Sequence, residues 1–290
     1  MTTAFLRSRT GSRSRALRDA ALITGTIASG WLLVIYWDAM VKLLANDGLV
    51  YWGVDPAAPY AGATVGGEGA YLYSPAFTQA FTPFRMLPRE AFAIVWSALI
   101  LAAAVWMARV WPLMLLPLFL PVLQDVMIGN IHILLALAIY LGFRWPATWA
   151  FVLLTKVTPG VGLLWFVVRR EWRSLAIALG TTAAIVVVSY VVAPQQWADW
   201  LGLLRKDGGQ ESSRLLLRLV AAAALVTWGA LTDRAWTVPI AAMLALPVIW
   251  MDSFAMLIAA VALKVRPPAS VRQKTASATA RSDVPVAPTA

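Results

Sequence analysis

Runs of about twenty apolar residues, each long enough to cross a bilayer as a helix, recur along most of the chain. Three of them occupy residues 90–109, 174–192 and 215–231, with few charges in their interiors. The chain has 290 residues, of which 60% are hydrophobic and 13% are charged. These runs are continuous, whereas the strands of a membrane barrel alternate between apolar and polar residues. The sequence therefore predicts an all-α, polytopic membrane protein.

Basic residues collect at one set of ends of the apolar runs. They lie in the N-terminal segment 1–18, at Arg144, in 169–173, at Arg234 and in 264–281. Most acidic residues fall in the loops on the other side. The positive-inside rule makes the basic side cytoplasmic, which predicts a multi-pass plasma membrane protein with both termini in the cytoplasm. We expect the basic ends to contact anionic membrane lipids and not nucleic acid.

We predict one helical membrane domain over residues 19–263. A disordered basic N-terminus, 1–18, precedes it, and a disordered cytoplasmic tail, 264–290, follows it. A long outer loop at 38–88 separates the first predicted span from the second. We expect about 8–10 membrane segments in all, including two short broken-helix pairs. Six full spans are predicted, at 20–37, 90–109, 111–123, 131–143, 174–192 and 215–231. Two further outer loops are predicted at 124–130 and 193–214.

Two apolar segments are too short to cross the membrane twice, yet each has basic residues at both ends. The first, 145–168, is interrupted at Lys156-Val-Thr-Pro-Gly160, and the second, 237–263, at Pro247-Val-Ile-Trp-Met-Asp252. Irregular backbone at membrane depth is tolerated only where protein or water covers it. We therefore expect each segment to form two short helices that meet at mid-depth.

Within the outer loop, the stretch 47–75 contains three carboxylates, Asp47, Asp55 and Glu68, among several aromatic residues. A carboxylate within hydrogen-bond reach of a hydroxyl can act as a general base. The aromatic residues are suited to stacking on sugar rings, and equally to the headgroup belt of an ordinary solvated loop. The residue types alone do not select one of the three carboxylates.

Lys156 and His132 are the other candidate functional residues. A lysine at mid-membrane usually faces a cavity or a partner, and here the alternative to function is a salt bridge with Asp252. His132 follows Asn130 at the start of a span, where it is either structural or a group that binds a phosphate or relays a proton. The chain has one histidine and no cysteine, so we expect no metal and no other cofactor.

Three stretches, taken together and in order, resemble glycosyltransferase family 87. The likeness extends over residues 20–262, and the family consists of membrane enzymes of the C superfamily, typified by actinobacterial mannosyltransferases. This chain is shorter than family members usually are. It also carries Asp252 where relatives often have a histidine or another polar residue. The stretches are Gly69-Ala-Tyr71-Leu-Tyr73-Ser-Pro75, Gly129-Asn130-Ile-His132 and Lys156-Val-Thr-Pro-Gly160.

The resemblance implies a hexosyltransferase, usually a mannosyltransferase, that uses a polyprenyl-phosphate sugar donor. The acceptor would be an envelope glycolipid or glycan on the outer face. An aspartate of the first outer loop would be the general base, and the anomeric carbon would be inverted without a metal. Asp47, followed by Tyr51-Trp52, best matches the family's aspartate, and Asp55 is the second choice.

The remaining site residues are assigned on the same basis. We expect the donor phosphate and its lipid to contact Lys156, His132 or Arg85. Substrate contacts are expected from Tyr51, Trp52, Glu68, Tyr71, Tyr73 and Asn130.

Two alternatives to a glycosyltransferase stay open at this point. A lipid or solute transporter, or a flippase, would also have broken helices and an intramembrane lysine–aspartate pair. An inactive family member or assembly subunit would leave Asp47 dispensable. The long carboxylate-rich loop and the lack of a convincing inverted repeat favour the enzyme.

Overall fold

The computed structural model describes residues 47–61, 63, 71–108, 120–207 and 212–269, together with scattered positions between 16 and 35. Helices are the regular structure of this part of the chain, and no strand occurs in it. The all-α prediction is thus confirmed. Most of the predicted first span, 20–37, lies outside the described residues, as do Glu68, most of 1–18 and all of 270–290.

The outer loop contains three short helices, α1 (Gly48–Gly53), α2 (Pro75–Ala80) and α3 (Thr82–Arg85). Ser74 caps α2, because its Oγ accepts a hydrogen bond from the Phe77 N–H at 3.4 Å. Pro75 at the first helical position has a φ suited to the helix and needs no intrahelical partner for its nitrogen. Ser74 Oγ also donates to the Leu154 carbonyl at 2.5 Å, which joins the loop to the first broken pair.

Three described helices are long and apolar enough to cross a membrane alone. They are α4 (Arg89–Ala108) and, further along the chain, Trp172–Val192 and Ser212–Leu231. Their positions match the predicted spans at 90–109, 174–192 and 215–231. A fourth span follows if two bent helices, Leu120–Ile128 and His132–Gly142, are counted as one. The chain is accordingly a helical membrane protein.

Helices α5 (Leu120–Ile128) and α6 (His132–Gly142) meet at an angle of 110°. Gly129 ends α5 with a φ of 70°, and the Asn130 N–H bonds the Asp125 carbonyl at 3.1 Å, as in a Schellman motif. The predicted loop 124–130 is therefore wrong over 124–128, which are helical. Gly129 sets the helix end, and the polar Asp125 is buried and not solvated.

The first broken pair consists of α7 (Trp149–Thr155) and α8 (Leu164–Val168). Two 3₁₀ turns, Pro146–Thr148 and Thr158–Leu163, precede them. Lys156 is extended, with φ −137° and ψ 106°, and ends α7. Pro159 supplies no N–H, and in a continuous helix its ring would clash with the carbonyl of Thr155, four residues earlier, which explains why α7 ends there. The break lies where the sequence predicts it.

Helix α9 (Trp172–Val192) leads directly into α10 (Pro194–Asp207), which the prediction of an outer loop at 193–214 missed. Trp197, Trp200 and Leu203 recur at helical spacing and give α10 one apolar side. That side faces the outer loop, because Trp200 Nε1 donates to the Leu72 carbonyl at 3.0 Å.

The last part of the described chain contains α11 (Ser212–Leu231), α12 (Thr237–Leu244) and α13 (Leu257–Val265). A non-helical stretch and a 3₁₀ turn, Asp252–Met256, separate α12 from α13. This is the second broken pair, and its turn packs against α5 and α6. The break of the second pair, the bend of α5 and α6, and the end of α7 therefore meet.

Candidate functional site

A buried polar network lies where the outer loop, the α5–α6 bend and the two breaks meet. Its members come from four separate parts of the sequence and are joined by hydrogen bonds in an otherwise apolar interior. We use the name polar network for these seven residues: Asp47, Asp125, Asn130, His132, Lys156, Asp252 and Ser253.

Asn130 is at the centre of the network. Its Nδ2 donates to Asp47 Oδ2 at 3.0 Å and to Asp252 Oδ2 at 2.7 Å. Its Oδ1 accepts the Ile131 N–H at 2.8 Å and the Tyr51 hydroxyl at 3.2 Å. The backbone donor at Ile131 fixes the orientation of the carboxamide, so its amino group faces the two carboxylates.

His132 is fully buried and lies between carboxylates and an ammonium group. Its Nδ1 is 3.2 Å from Asp125 Oδ1 and 3.2 Å from Asp252 Oδ2. Its Nε2 is 2.9 Å from Lys156 Nζ. Because Nδ1 bonds the Asp125 carboxylate and Nε2 faces the ammonium, a proton at Nδ1 fits the network. His132 thus orients Lys156.

Lys156 reaches the network because α7 ends at Thr155 and the chain turns into extended backbone. The alternative raised from the sequence was an ion pair with Asp252. In the structure the hydrogen-bond partner of its ammonium is His132, which in turn contacts Asp252. Three carboxylates, those of Asp47, Asp125 and Asp252, surround this one ammonium group, so the network carries more negative than positive charge.

Asp47 is the member of the network that belongs to the outer loop, immediately before α1, and it is only partly buried. Burial raises the pKa of its carboxyl above the ordinary value, and the charge of Asp252 acts in the same direction. Lys156 and His132 oppose this rise. A carboxylate with a raised pKa is a better proton acceptor near neutral pH than an ordinary surface aspartate. Asp47 is therefore accessible and suited to act as a base.

Three members of the network could in principle hold a metal ion. One ligand atom from each of Asp125, His132 and Asp252 lies within 4.8 Å of the others, and Asp252 Oδ1 has no hydrogen-bond partner among the described residues. A metal at His132 Nδ1 would displace the proton to Nε2, where it would face the ammonium of Lys156. Metal-binding histidines normally direct that second N–H at an acceptor. The arrangement suits a proton at Nδ1 better than a metal.

The aromatic residues predicted to contact substrate pack mainly against each other. Tyr51 is fully buried, and its ring contacts those of Tyr73, Phe77, Phe81 and Trp96. Its hydroxyl lies 2.8 Å from that of Tyr73. The Tyr51 side chain of α1 thus supports Asn130 directly, and Tyr73 contacts Tyr51.

Trp52 and Tyr71 also have partners within the protein. Trp52 Nε1 donates to the Leu87 carbonyl at 3.0 Å, and the Tyr71 hydroxyl accepts from Thr78 Oγ1 at 2.9 Å. Trp52 is partly exposed, whereas Tyr71 is buried. Of these two, Trp52 is the residue with surface left for a ligand.

Arg85 and Asp55 lie outside the polar network. The Arg85 guanidinium donates from Nη1 to the Val54 carbonyl at 2.8 Å and from Nη2 to the Thr78 carbonyl at 2.6 Å, which joins α1 to α2. Asp55 is exposed, and its Oδ1 accepts the Ala57 N–H at 2.8 Å in a local turn. The structure thus brings Asp47, Asn130, His132 and Lys156 together and leaves Asp55 and Arg85 apart.

Three members of the network, Asp125, Asp252 and Ser253, are not among the site residues predicted from the sequence. The sequence predicts Asp125 within the outer loop 124–130, and it presents Asp252 both as a possible ion-pair partner of Lys156 and as a departure from the family pattern. Ser253 Oγ lies 3.4 Å from His132 Nε2 and accepts the Trp250 N–H at 3.1 Å. The available signal is that all three are polar residues within or next to apolar segments, where a buried polar group without a partner is costly.

A protein-family model described as glycosyltransferase family 87 matches residues 71–281. No curated protein and no solved structure matches the chain. The matched range contains six of the seven members of the polar network and begins after Asp47.

Proposed function

Because this chain belongs to glycosyltransferase family 87, we propose that it transfers a hexose, in the first instance mannose, from a polyprenyl-phosphate donor to an acceptor hydroxyl. The acceptor is an envelope glycolipid or glycan on the outer face of the plasma membrane, with both termini of the enzyme in the cytoplasm. An outer-loop location for the reaction fits a membrane-embedded protein, because a lipid-linked donor diffuses in the surrounding bilayer and presents its phosphate at the membrane surface.

The observation that carries this proposal is the position of Asp47. Its carboxylate is partly exposed, yet Asn130 holds one of its oxygens at 3.0 Å and joins it to the buried network. A general base has to be both accessible to the acceptor hydroxyl and fixed in position. Asp55 is accessible, but among the described residues its carboxylate is held by the Ala57 N–H of its own local turn.

In the proposed reaction, Asp47 removes the proton of the acceptor hydroxyl as its oxygen attacks the anomeric carbon. The new glycosidic C–O bond forms while the bond from that carbon to the phosphate oxygen breaks. The polyprenyl phosphate leaves with the bonding electron pair, and the configuration at the anomeric carbon is inverted. The proton stays on Asp47 until solvent removes it.

Lys156 is the residue we assign to the leaving phosphate. It is partly exposed, and its ammonium lies 2.9 Å from the buried His132, which orients it. A positioned cation stabilises the charge that develops on a leaving group. In this proposal His132 acts through Lys156, and Arg85 is the less favoured phosphate ligand because two carbonyls already engage its guanidinium.

The test is transfer of radiolabelled mannose from polyprenyl-phosphate mannose by the purified full-length protein in liposomes, with an envelope lipid extract as acceptor. We compare the wild type with Asp47→Asn and with Asp55→Asn as the matched control. Loss of a general base typically lowers the rate about 10²–10⁴-fold, so we expect that loss for Asp47→Asn and near wild-type rates for Asp55→Asn. We expect transfer to persist in EDTA.

The outcomes separate the function from the assignment of the base. Absence of transfer with every polyprenyl-linked hexose tried would refute the proposed function. Movement of the donor across the bilayer without transfer would support the transporter alternative instead. Full activity of Asp47→Asn would leave the function standing and show that another residue is the base.

A further inference from the structure

We propose that Asn130 and Asp252 are positioning residues for Asp47, and that neither contacts the substrate. This inference rests on the proposed function and deepens it, because it says how the base is oriented and how its basicity is set. It changes the role of Asn130, for which the sequence predicted a substrate contact, and it adds Asp252 to the site.

The hydrogen-bonding capacity of Asn130 is the first support. A carboxamide has two donor hydrogens and an oxygen with two lone pairs. Asp47 and Asp252 occupy the two donors, and Ile131 and Tyr51 occupy the oxygen. Asn130 is also only 5% exposed. It has no capacity left for a sugar or a phosphate in this arrangement.

The backbone that carries Asn130 is fixed as well. Its N–H is part of the Schellman motif that ends α5, and Trp96 Nε1 donates to the adjacent Gly129 carbonyl at 2.8 Å. The carboxamide is thereby held at both its backbone and its side chain. A base oriented by a group of this rigidity has few alternative positions, and a displacement of about 1 Å can lower a rate about 10²-fold.

Asp252 lies behind Asn130, out of reach of a substrate. It is 1% exposed, and its Oδ2 accepts from Asn130 at 2.7 Å and lies 3.2 Å from His132 Nδ1. Asp47 and Asp252 are thus two carboxylates held on one amide group. Like charges at such separations make protonation of the more accessible one easier. Asp252 therefore favours proton uptake by Asp47.

The pH dependence has a definite sign once all charged groups near Asp47 are considered. The carboxylate of Asp252 raises the pKa of Asp47, whereas Lys156 and His132 lower it. Asp47 acts as a base only when deprotonated, so kcat/KM falls as the pH drops through its pKa. Asp252→Asn removes the repulsion but keeps an oxygen acceptor for Asn130. We therefore expect the acid limb of the profile to move to lower pH.

The experiment measures kcat, KM and the pH profile of kcat/KM for transfer by Asp252→Asn, Asn130→Asp and Asn130→Ala, with the exposed Asp199→Asn as control. We expect both Asn130 variants to lose at least about tenfold in kcat with donor and acceptor KM changed little, as for lost positioning. Asp199→Asn should retain the wild-type profile. Thermal unfolding in detergent establishes that each variant is folded.

Two results would overturn the inference while the proposed function stands. The first is a raised KM with unchanged kcat in the Asn130 variants, which would make Asn130 a substrate ligand. The second is a pH profile of kcat/KM whose acid limb is unshifted in Asp252→Asn. This substitution removes the charge of Asp252 and keeps nearly the same side-chain shape. If Asn130→Ala does not fold, Asn130→Asp and Asp252→Asn still decide the question. Failure of the wild type itself to transfer sugar would concern the proposed function alone.

Discussion

At the scale of single residues, Asp125 links the fold to the polar network. Its backbone carbonyl accepts the Asn130 N–H, and its Oδ2 accepts the Ile133 N–H at 2.9 Å in the first turn of α6. Its Oδ1 faces His132 Nδ1. One side chain thus caps a helix across a 110° bend and also fixes the histidine tautomer, so the bend and the chemistry depend on the same carboxylate.

Asp125→Ala should destabilise the protein by about 1–3 kcal/mol, because it leaves the Ile133 N–H unpaired in the interior. The measurement is denaturant unfolding in detergent, followed by tryptophan fluorescence. Asp199→Ala is the control, since Asp199 is exposed and, within the described part of the chain, its carboxylate accepts from the Gln195 side chain on α10. Equal stability of the two variants would show that the Asp125 cap contributes nothing.

At the scale of elements, three helices end in the same way. An N–H bonds the carbonyl five residues earlier at Asn130, Glu171 and Arg234, and the residue before each has a positive φ. That preceding residue is Gly129 after α5, but Arg170 after α8 and Asp233 after α11. Of these three ends, the one after α5 carries members of the polar network. It is also the one at which the residue with positive φ is a glycine, which adopts this conformation without strain.

Gly129→Ala should therefore lower activity by displacing Asn130. An alanine at a φ of 70° costs about 1–2 kcal/mol of backbone strain. The backbone at residues 129–130 can relieve this strain by changing its dihedral angles, which would move Asn130. Gly129→Asn is the matched control, because asparagine tolerates left-handed backbone at this position of the motif. We expect kcat for sugar transfer to fall more in the alanine variant. Equal kcat in both variants would contradict this.

At the scale of the whole molecule, the outer loop is held from two sides. The aromatic cluster around Tyr51 supports it from within, and α10 covers it. Gln196 Nε2 donates to the Pro56 carbonyl at 2.7 Å, and Trp200 Nε1 donates to the Leu72 carbonyl at 3.0 Å. Helix α10 therefore joins two segments of the loop that lie sixteen residues apart in the sequence.

Trp200→Phe should loosen this part of the loop, since it removes the donor to Leu72 and keeps an aromatic ring. We expect faster hydrogen exchange around residues 71–73 and a loss of stability of about 1 kcal/mol, the usual net contribution of one hydrogen bond. Trp172→Phe serves as the control because Trp172 is 58% exposed. Unchanged exchange at 71–73 would show that α10 does not hold the loop.

The long helices and the first break could be predicted because they depend on local sequence. The length of the apolar runs predicts α4, α9 and α11. Pro159, three residues after Lys156, predicts where α7 ends. The polar network could not be predicted in this way. Asn130 and Asp252 are 122 residues apart, and their bond exists only after two helix breaks have packed together. For the same reason the sequence predicts a loop at Asp125, whereas in the structure Asp125 is helical and buried beside His132.

The construction of the network from broken helices has a consequence for biogenesis. Helix α7 has 7 residues and α8 has 5, and isolated helices of this length are marginal in water. Neither is long enough to enter a bilayer as an independent span. The longer helices α4, α9 and α11 can be inserted into the bilayer first. They then provide the surface against which the short helices pack. We therefore predict that the polar network forms only after these spans are embedded in the membrane.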